Sequence, residues 1–169
     1  ACLSPAAAER LITSKTRAIV AVHLGGMPCD MVALAEVAKR HSLFLFEDCS
    51  HAHGAAYGGR RAGSLGDGAV FSFGGGMNMT CGEGGIIVTD SYELYAECWH
   101  LHTSGRALAG SSEFGGTVLM GTNGRMAEWE AAILDAQMDR LEAQNATRNR
   151  NAEALEKKLR GIDAIVLRN

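Results

Sequence analysis

Two apolar segments separated by an amphipathic helix constrain the fold of this chain more than any other feature. AIVAVHL, residues 18–24, and LFLFE, residues 43–47, are apolar runs of the kind found in strands that are buried on both faces. Between them a helix is predicted from Met31 to His41, with Asp30 as its N-cap and apolar residues on one side. Strand, helix and strand at this spacing predict a parallel βαβ unit with a right-handed crossover, and therefore an α/β fold.

The rest of the chain adds two strands, a helix and one very long helix to this unit. Strands are predicted at 69–73 and 85–89, and a helix at 91–102. Residues 103–122 are rich in Gly, Ser and Thr and are expected to form a loop. Residues 125–160 have a helical pattern almost throughout, which at about 1.5 Å per residue gives a length of about 50 Å. A helix of that length is more typical of a spine between two domains than of one compact domain.

Composition and charge argue against several classes of function. The formal net charge is −3, which provides no basic surface for nucleic acid. No apolar run reaches the roughly 18–20 residues of a membrane-spanning helix. The five cysteines are odd in number and form no C-x-x-C pair, which fits a reduced cytoplasmic protein better than a disulfide framework. The first residue is not Met and the chain stops abruptly after an apolar run, so a fragment of a longer protein is expected.

The segment EDCSHAHG, residues 47–54, follows the second predicted strand, where open α/β sheets bind their ligands. Three interpretations stay open. It could be a polar loop that happens to contain histidines. It could be a metal site formed by Asp48, Cys49, His51 and His53, although their spacing matches no common zinc pattern. In the third interpretation, Asp48 is a buried carboxylate that keeps a ring nitrogen protonated and so makes the ring an electron sink.

The segment FSFGGGMNMTCGEGG, residues 71–85, holds six of the 21 glycines of the chain. A small hydroxyl at a strand end can bind a phosphate oxygen when glycines after it let the backbone come close. Ser72 is therefore a candidate phosphate ligand. The sequence contains neither a P-loop, G-x-x-x-x-G-K-[ST], nor a G-x-G-x-x-G dinucleotide fingerprint.

In their order and spacing, five segments of the chain resemble the DegT/StrS family of sugar aminotransferases. They are AIVAVHLGGMPCDM, LFEDCSHAHGAAYGGRRAGSLGD, AVFSF, CGEGGIIVTD and GTNGRM. These are fold type I enzymes that use pyridoxal 5′-phosphate (PLP), and the EDCSHAHG and GEGG segments are most similar to members acting on aminocyclitols. The resemblance implies part of a fold type I large domain, a mostly parallel sheet flanked by helices, with a long connecting helix.

The resemblance also implies a division of the chain into three parts. Residues 1–122 would be a partial PLP-binding large domain, and residues 123–160 the helix that connects it to a small domain. Residues 161–169 would be the start of a truncated small C-terminal domain. In the family, the loop that cradles the phosphate and the residue stacked on the ring come from earlier in the chain, so this chain is expected to be a central fragment.

The resemblance assigns roles to four residues. Asp48 matches the acid that pairs with the pyridine nitrogen, and His51 matches the residue that lies against the ring or its phenolic oxygen. Ser72 matches the serine that binds the cofactor phosphate. Asn123 matches an asparagine that reaches the phosphate of the neighbouring subunit. Family members are dimers with both active sites at the interface, so the expected partner is a second copy or an intact homologue.

Met77 departs from the family pattern at the residue that matters most. The family places its Schiff-base lysine five residues after the serine, and the chain has no lysine between Lys39 and Lys157. A thioether forms no imine and shuttles no proton. Some members have histidine here and catalyse dehydration, which methionine does not support either. Gly74 to Gly76 also replace bulkier residues of the family.

The function implied is transfer of an amino group from Gln or Glu to a keto-sugar or keto-cyclitol through PLP. With Met77 in place, no covalent attachment of PLP is expected, and the isolated chain is expected to be inactive. One alternative is a non-catalytic subunit that lends Asn123 and an interface to an intact partner. Another is a degenerate product without function. His23, at the end of the first strand, is interpreted as a structural histidine.

Overall fold

The structure is a computed structural model that describes residues 2–106, 108 and 120–165. Its helices and strands, in chain order, are α1 (Pro5–Arg10), β1 (Ala18–Val22), α2 (Met31–Arg40), β2 (Phe44–Asp48), β3 (Ala56–Tyr57), β4 (Arg60–Arg61), β5 (Gly68–Ser72), β6 (Gly85–Val88), α3 (Tyr92–His102) and α4 (Glu128–Leu159). The predicted α/β class and the long helix are confirmed. The predicted loop at 103–122 lies largely outside the described residues, as does the end of the predicted small-domain segment.

The segment from β1 to β2 has the predicted parallel arrangement. The two strands pair in parallel, with Ala18 opposite Phe44 and Val22 opposite Asp48. Helix α2 begins where it does because the Asp30 side chain accepts a hydrogen bond from the Ala33 N–H, at 3.1 Å. The helix then lies against the sheet through four buried apolar side chains: Met31, Leu34, Val37 and Ala38.

The main sheet has the strand order β1–β2–β5–β6. Strand β5 runs parallel to β2, and β6 runs antiparallel to β5. A separate hairpin, β3–β4, lies within residues 50–67, a polar and glycine-rich segment for which the sequence pattern predicts turns rather than strands. Gly58 and Gly59 join its strands with φ values of 56° and 79°, the left-handed conformation that a tight hairpin turn requires.

The two faces of the main sheet are covered unequally. Residues Ile19, Ala21 and Leu45 face α2 and are buried. On the opposite face, Val20 and Val22 are 53% and 42% exposed. The prediction that these strands are covered on both faces is therefore wrong for the described residues, because α2 covers one face and no described element covers Val20 and Val22.

Helix α4 contacts the rest of the chain through a face that is only partly apolar. Its 32 residues make it about 48 Å long, and Leu134 and Leu141 are its buried residues. Gln137, between them, donates to the carbonyl of Thr80 at 3.3 Å. The helical spacing of Met126, Trp129, Ile133, Ala136 and Leu141 predicts an apolar stripe that faces the core. Trp129 is nevertheless 62% exposed. None of the described helices is long and apolar enough to cross a membrane.

Candidate functional site

Asp48 and Ser72 lie at the same edge and on the same face of the main sheet. Asp48 is the last residue of β2 and pairs with Val70 of the parallel strand β5. Ser72 ends β5, two residues beyond Val70, so its side chain points to the same face as that of Asp48. Because the carboxyl ends of parallel strands meet at one edge, the carboxylate and the hydroxyl project from neighbouring positions there.

The Asp48 carboxylate is held by its own loop through one oxygen. Oδ1 accepts hydrogen bonds from the Ser50 N–H at 3.0 Å and from the Ser50 hydroxyl at 2.6 Å. Among the described residues, no donor reaches Oδ2. The side chain is half-buried rather than buried as predicted. The loop therefore fixes the orientation of the carboxylate and leaves one oxygen for a ligand.

His51 connects this loop to the end of the neighbouring strand β1. Its Nδ1 accepts a hydrogen bond from the Gly25 N–H at 3.2 Å, while the side chain is exposed. Gly26 has a φ of 83°, and a Cβ there would lie 3.1 Å from the His51 carbonyl oxygen. Because Nδ1 of His51 accepts the Gly25 N–H, the proton of the neutral ring is on Nε2, which can donate to a ligand.

Ser72 opens the glycine-rich loop, and Met77 lies within it. The Ser72 Oγ accepts a hydrogen bond from the Gly74 N–H at 3.3 Å, and the Met77 N–H donates to the Gly74 carbonyl at 3.0 Å. The Met77 side chain is half-buried. A Cβ at Gly76 would meet nothing within 4 Å, so the loop has room for a larger side chain there.

Asn123, the fourth predicted ligand, lies on the connection between α3 and α4 and has different contact partners from the other three. It forms an isolated bridge with Thr103, and its Oδ1 accepts a hydrogen bond from the Arg125 N–H at 3.4 Å. The residue is exposed. Within the described chain, these contacts do not bring it to Asp48, His51 or Ser72. Its predicted role toward a neighbouring subunit stays a prediction.

A buried carboxylate that the sequence analysis did not single out lies one residue before Asp48. Glu47 and His23 are both fully buried, and His23 Nε2 lies 2.9 Å from Glu47 Oε2. His23 Nδ1 accepts the Cys29 N–H at 3.1 Å, so Nε2 carries the proton and donates to Glu47. The interpretation of His23 as a structural histidine is confirmed. Leu45 and Cys49 lie two residues before and after Glu47 and share its face of the extended chain, and this spacing is the signal that could have identified its buried position.

Glu47 stays ionised in this buried position because its hydrogen bonds outweigh the cost of burial. Burial alone would raise its pKa. The donation from His23 and from the backbone N–H groups of Gly63, Leu65 and Gly66 lowers the pKa below the usual 4.5. The carboxylate thus joins β1, β2 and the segment that leads into β5.

The alternative metal site at Asp48, Cys49, His51 and His53 is wrong. Among the described residues, the one group of potential ligands that lies within 4.8 Å of one another is His23, Glu47 and Cys49. Asp48 and Cys49 follow each other in extended backbone and point to opposite faces, which separates the predicted ligands. In the observed group, His23 and Glu47 are hydrogen-bonded to each other. Burial and the charges of Glu47 and Asp48 raise the pKa of Cys49 to about 12, which keeps its thiol protonated and disfavours metal binding.

His53, which the sequence analysis considered only as a possible metal ligand, is buried beside the site. Its side chain is 4% exposed, and its ring lies between those of Phe71 and Phe73, at centroid distances of 5.5 and 5.7 Å. Neither ring nitrogen has a partner with hydrogen-bond geometry among the described residues. Burial lowers its pKa below 6.5, and the nearby Ser72 backbone offsets this in part.

The low pKa of His53 predicts a loss of stability in mild acid. Below pH 6.5 the unfolded chain takes up a proton at this residue while the folded chain does not, so the free energy of unfolding falls. The slope contributed by one such group is at most about 1.4 kcal/mol per pH unit. We expect His53→Phe to remove this component between pH 6.5 and 5, as measured by urea denaturation. A wild-type slope that persists unchanged in the variant would contradict the assignment.

Sequence profiles and solved structures give one consistent comparison. The profile described as the DegT/DnrJ/EryC1/StrS aminotransferase family matches residues 1–168. The L-glutamine:scyllo-inosose aminotransferase of Streptomyces griseus is 43% identical over 165 residues, which are 94% of this chain and 39% of that protein. The L-glutamine:2-deoxy-scyllo-inosose aminotransferase of Streptoalloteichus tenebrarius is 44% identical over 161 residues, 91% of this chain and 38% of that protein. The chain therefore spans about two fifths of the length of these relatives.

Three solved structures share the fold over nearly the whole chain. The aminotransferase from Psychrobacter cryohalolentis superposes with a TM-score of 0.90 at 34% identity, covering 96% of this chain and 43% of that one. A 3-amino-5-hydroxybenzoic acid synthase gives 0.87 at 36% identity, covering 96% and 42%. An E. coli GDP-4-keto-6-deoxy-D-mannose-3-dehydratase, with bound hydrated PLP, gives 0.84 at 25% identity, covering 95% and 45%.

Proposed function

Because the chain belongs to the DegT/DnrJ/EryC1/StrS aminotransferase family, we propose that it forms part of the PLP-binding body of a transaminase. The amino donor is glutamine or glutamate, and the acceptor is a keto-cyclitol or keto-sugar. The glutamine:scyllo-inosose and glutamine:2-deoxy-scyllo-inosose aminotransferases among its relatives support a cyclitol ketone and glutamine. The observation that carries the proposal is the placement of Asp48 and Ser72 on one face of neighbouring strands, at the same edge.

The residues present fit a noncovalently held PLP. The free Oδ2 of Asp48 would accept the N–H of the pyridinium and keep the ring protonated. The Ser72 hydroxyl, which already accepts from the Gly74 N–H, would donate to a phosphate oxygen. His51 Nε2 would donate toward the ring substituents, because its Nδ1 is held by Gly25. PLP, when bound, supplies the electron sink through which an amino group passes between donor and ketone.

Residue 77 sets the limit of what this chain does with the cofactor. The Met77 side chain has no nucleophilic amine and no titratable proton. It can contact a ring or exclude water, but it neither bonds to the cofactor nor moves a proton at the substrate carbon. The chain on its own is therefore proposed to hold PLP without transaminating.

Separate substitutions of Asp48 and Ser72 test this proposal. We expect Asp48→Asn to weaken binding of both PLP and pyridoxal about tenfold, since a charge-assisted hydrogen bond is lost in each complex. Ser72→Ala should weaken PLP by a similar factor and leave pyridoxal, which lacks the phosphate, unchanged. Equilibrium dialysis gives both dissociation constants, with Ser64→Ala, a serine of the turn after β4, as control. Equal affinities in all four chains would refute the proposal.

The expected assembly is a homodimer in the cytoplasm, as a proposal from the family. A second candidate function, a non-catalytic subunit for an intact homologue, is favoured by two observations. Met77 lacks an amine, while Asn123 is exposed on the connection between α3 and α4. Raised activity of an intact relative on addition of this chain, lost with Asn123→Ala, would favour the second candidate. No change in activity would reject it.

A further inference from the structure

Strand β6 ends the main sheet with one edge unpaired. The strand order is β1–β2–β5–β6, and within the described residues β5 is the one strand that pairs with β6. The Phe73 N–H donates to the Gly84 carbonyl at 2.8 Å, so the antiparallel ladder directs the backbone groups of Ile86 toward β5. The backbone groups of Gly85 and Ile87, the alternate residues, therefore point away from the sheet. An edge of this kind is a template for another strand.

The sequence of β6 does not protect this edge. Exposed edge strands commonly carry a charge, a proline or a bulge that prevents further pairing, and the β6 sequence GIIV has neither a charge nor a proline. Ile86 and Ile87 point to opposite faces of the sheet and are 47% and 50% exposed. Apolar side chains on both faces are typical of strands in the interior of a sheet. The side chains and the free backbone groups therefore both indicate a place for a further strand.

A groove of about 740 Å³ lies along β6, between α3 and α4. Its walls are apolar and partly aromatic, and they include Ile86 and Ile87 of β6, Tyr95 and Trp99 of α3, and Leu134 and Met138 of α4. A segment lying in this groove can pair with the β6 backbone while its side chains contact both helices. When a strand is added to a sheet edge, backbone hydrogen bonds supply affinity and the flanking pockets select side chains.

The side of α4 at the groove is acidic, which decides what kind of segment fits. Asp135 lines the groove, and Glu128, Asp139 and Glu142 share its side of the helix by their helical spacing. All four are exposed, and of these only Glu142 has an ion-pair partner, Arg61, among the described residues. Two copies of this chain joined at β6 by a two-fold axis would place their α4 helices on the same face, so like charges would meet. A segment with Lys or Arg is attracted instead.

We propose that the β6 edge and this groove bind an extended polypeptide segment from outside these 169 residues, apolar at its centre and with Lys or Arg on either side. Backbone pairing with Gly85 and Ile87 adds a fifth strand to the four-stranded main sheet. The apolar side chains of the segment contact Ile86 and Ile87 on the two faces, and its basic residues lie near the acidic side of α4. Asp48 and Ser72 take no part, so this inference is independent of the proposed function.

Three blocked peptides of equal length test the chemistry of the bound segment. The basic peptide is Lys-Lys-Val-Ile-Val-Ile-Lys-Lys, and the acidic peptide has glutamate in place of every lysine. The third peptide has the basic sequence with N-methylated Val and Ile residues, so it lacks the backbone N–H donors of a strand. We expect the basic peptide to bind at least about tenfold more tightly than the other two, which lose the ion pairs or the backbone pairing. Fluorescence anisotropy of dye-labelled peptides measures the dissociation constants.

Variants of the chain test the two parts of the surface separately. Ile87→Pro removes an N–H that points away from β5, so it removes an edge donor and leaves the ladder to β5 intact. We expect it to weaken binding of the basic peptide about tenfold, and Ile87→Val, the matched control that keeps the N–H, to change it less than about twofold. Asp135→Asn combined with Asp139→Asn should reduce the preference for the basic over the acidic peptide about threefold.

Amide hydrogen exchange locates the bound peptide. The basic peptide should slow exchange of the Gly85 and Ile87 N–H groups at least about fivefold. An Ile87 N–H that is already protected in the free chain would show that the edge is occupied without a partner, and would overturn the proposal. Protection that rises with chain concentration would assign the edge to a second copy and overturn it as well. So would equal affinities of the three peptides for the wild-type chain, a comparison that decides even if Ile87→Pro does not fold.

Discussion

Met77→Lys is expected to give the chain a borohydride-stable PLP label at residue 77 that the wild-type chain does not acquire. The new Lys Nζ condenses with the aldehyde carbon of PLP with loss of water, and borohydride reduces the resulting C=N bond to a stable amine. Methionine offers no such nitrogen. The label is read as a mass increase on the peptide that contains residue 77, after incubation with PLP, reduction and proteolysis.

Gly76→Lys is the matched control for this experiment. Gly76 is exposed in the same loop, and a side chain there meets nothing within 4 Å, so its lysine measures the reactivity of an accessible but unpositioned amine. We expect Met77→Lys to label at least about tenfold faster, since an amine held beside the bound cofactor acts at a high effective concentration. Equal labelling of the two variants would contradict the assignment of position 77. So would a label on residues 71–85 of the wild-type chain.

Labelling of Met77→Lys is not expected to bring transamination with it. The relatives that carry the activity are more than twice as long as this chain, which covers 39% of the Streptomyces griseus protein. A keto-cyclitol substrate with glutamine gives the direct measurement. Turnover by Met77→Lys alone would show that these 169 residues contain every group that the reaction needs.

The sequence predicted the core of the fold because local patterns carry that information. The apolar run at 18–24, the Asp30 cap and the apolar face of α2 each have a strand or helix period of their own. All three agree on a βαβ unit, and the parallel pairing of β1 with β2 confirms it. Consistency among local signals is what made this part of the fold predictable.

Features that depend on distant contacts were not predictable in the same way. The docking face of α4 includes Gln137 and Asn145, which donate to the Thr80 and His53 carbonyls. The spacing of apolar residues carries no information about such polar contacts. It therefore predicts a buried face that includes Trp129, whereas this side chain is 62% exposed. The β3–β4 hairpin has two residues in each strand, too few to show a strand period, so only the Gly58–Gly59 pair indicated it.

For the candidate site, the sequence motifs identified the residues, and the structure showed which groups surround them. The resemblance identified Asp48 and Ser72, and the strand registers place both on one face. Their proposed contacts with PLP remain predictions. The partner of His23 and the packing of His53 join residues that are 18 or more positions apart, and no short pattern in the sequence encodes such pairs.

Glu47→Gln is expected to cost about 2–6 kcal/mol of the free energy of unfolding, because two donors lose their acceptor and each such loss costs about 1–3 kcal/mol. Each carboxylate oxygen accepts two hydrogen bonds: Oε1 from the Leu65 and Gly66 N–H groups, and Oε2 from the Gly63 N–H and His23. A glutamine keeps one acceptor oxygen and turns an NH₂ group toward donors. Two of these four donors then lose their acceptor. Urea denaturation at pH 7 measures the loss.

Asp48→Asn is the control, because it alters the neighbouring carboxylate of the same strand. Asp48 is half-buried on the opposite face, and its bonded oxygen, Oδ1, is kept in asparagine, so we expect a loss of stability below about 1 kcal/mol. The two variants should therefore separate stability from ligand binding: Glu47→Gln affects the fold, and Asp48→Asn affects the affinity for PLP. Similar losses of stability in both would mean that the buried hydrogen-bond cluster does not hold β1, β2 and the start of β5 together.

The lowered pKa of Glu47 adds a pH dependence to the same comparison, since it lies below 4.5 in the folded chain. The difference in free energy of unfolding between wild type and Glu47→Gln should stay constant above pH 4.5 and narrow as the pH falls through the folded-state pKa.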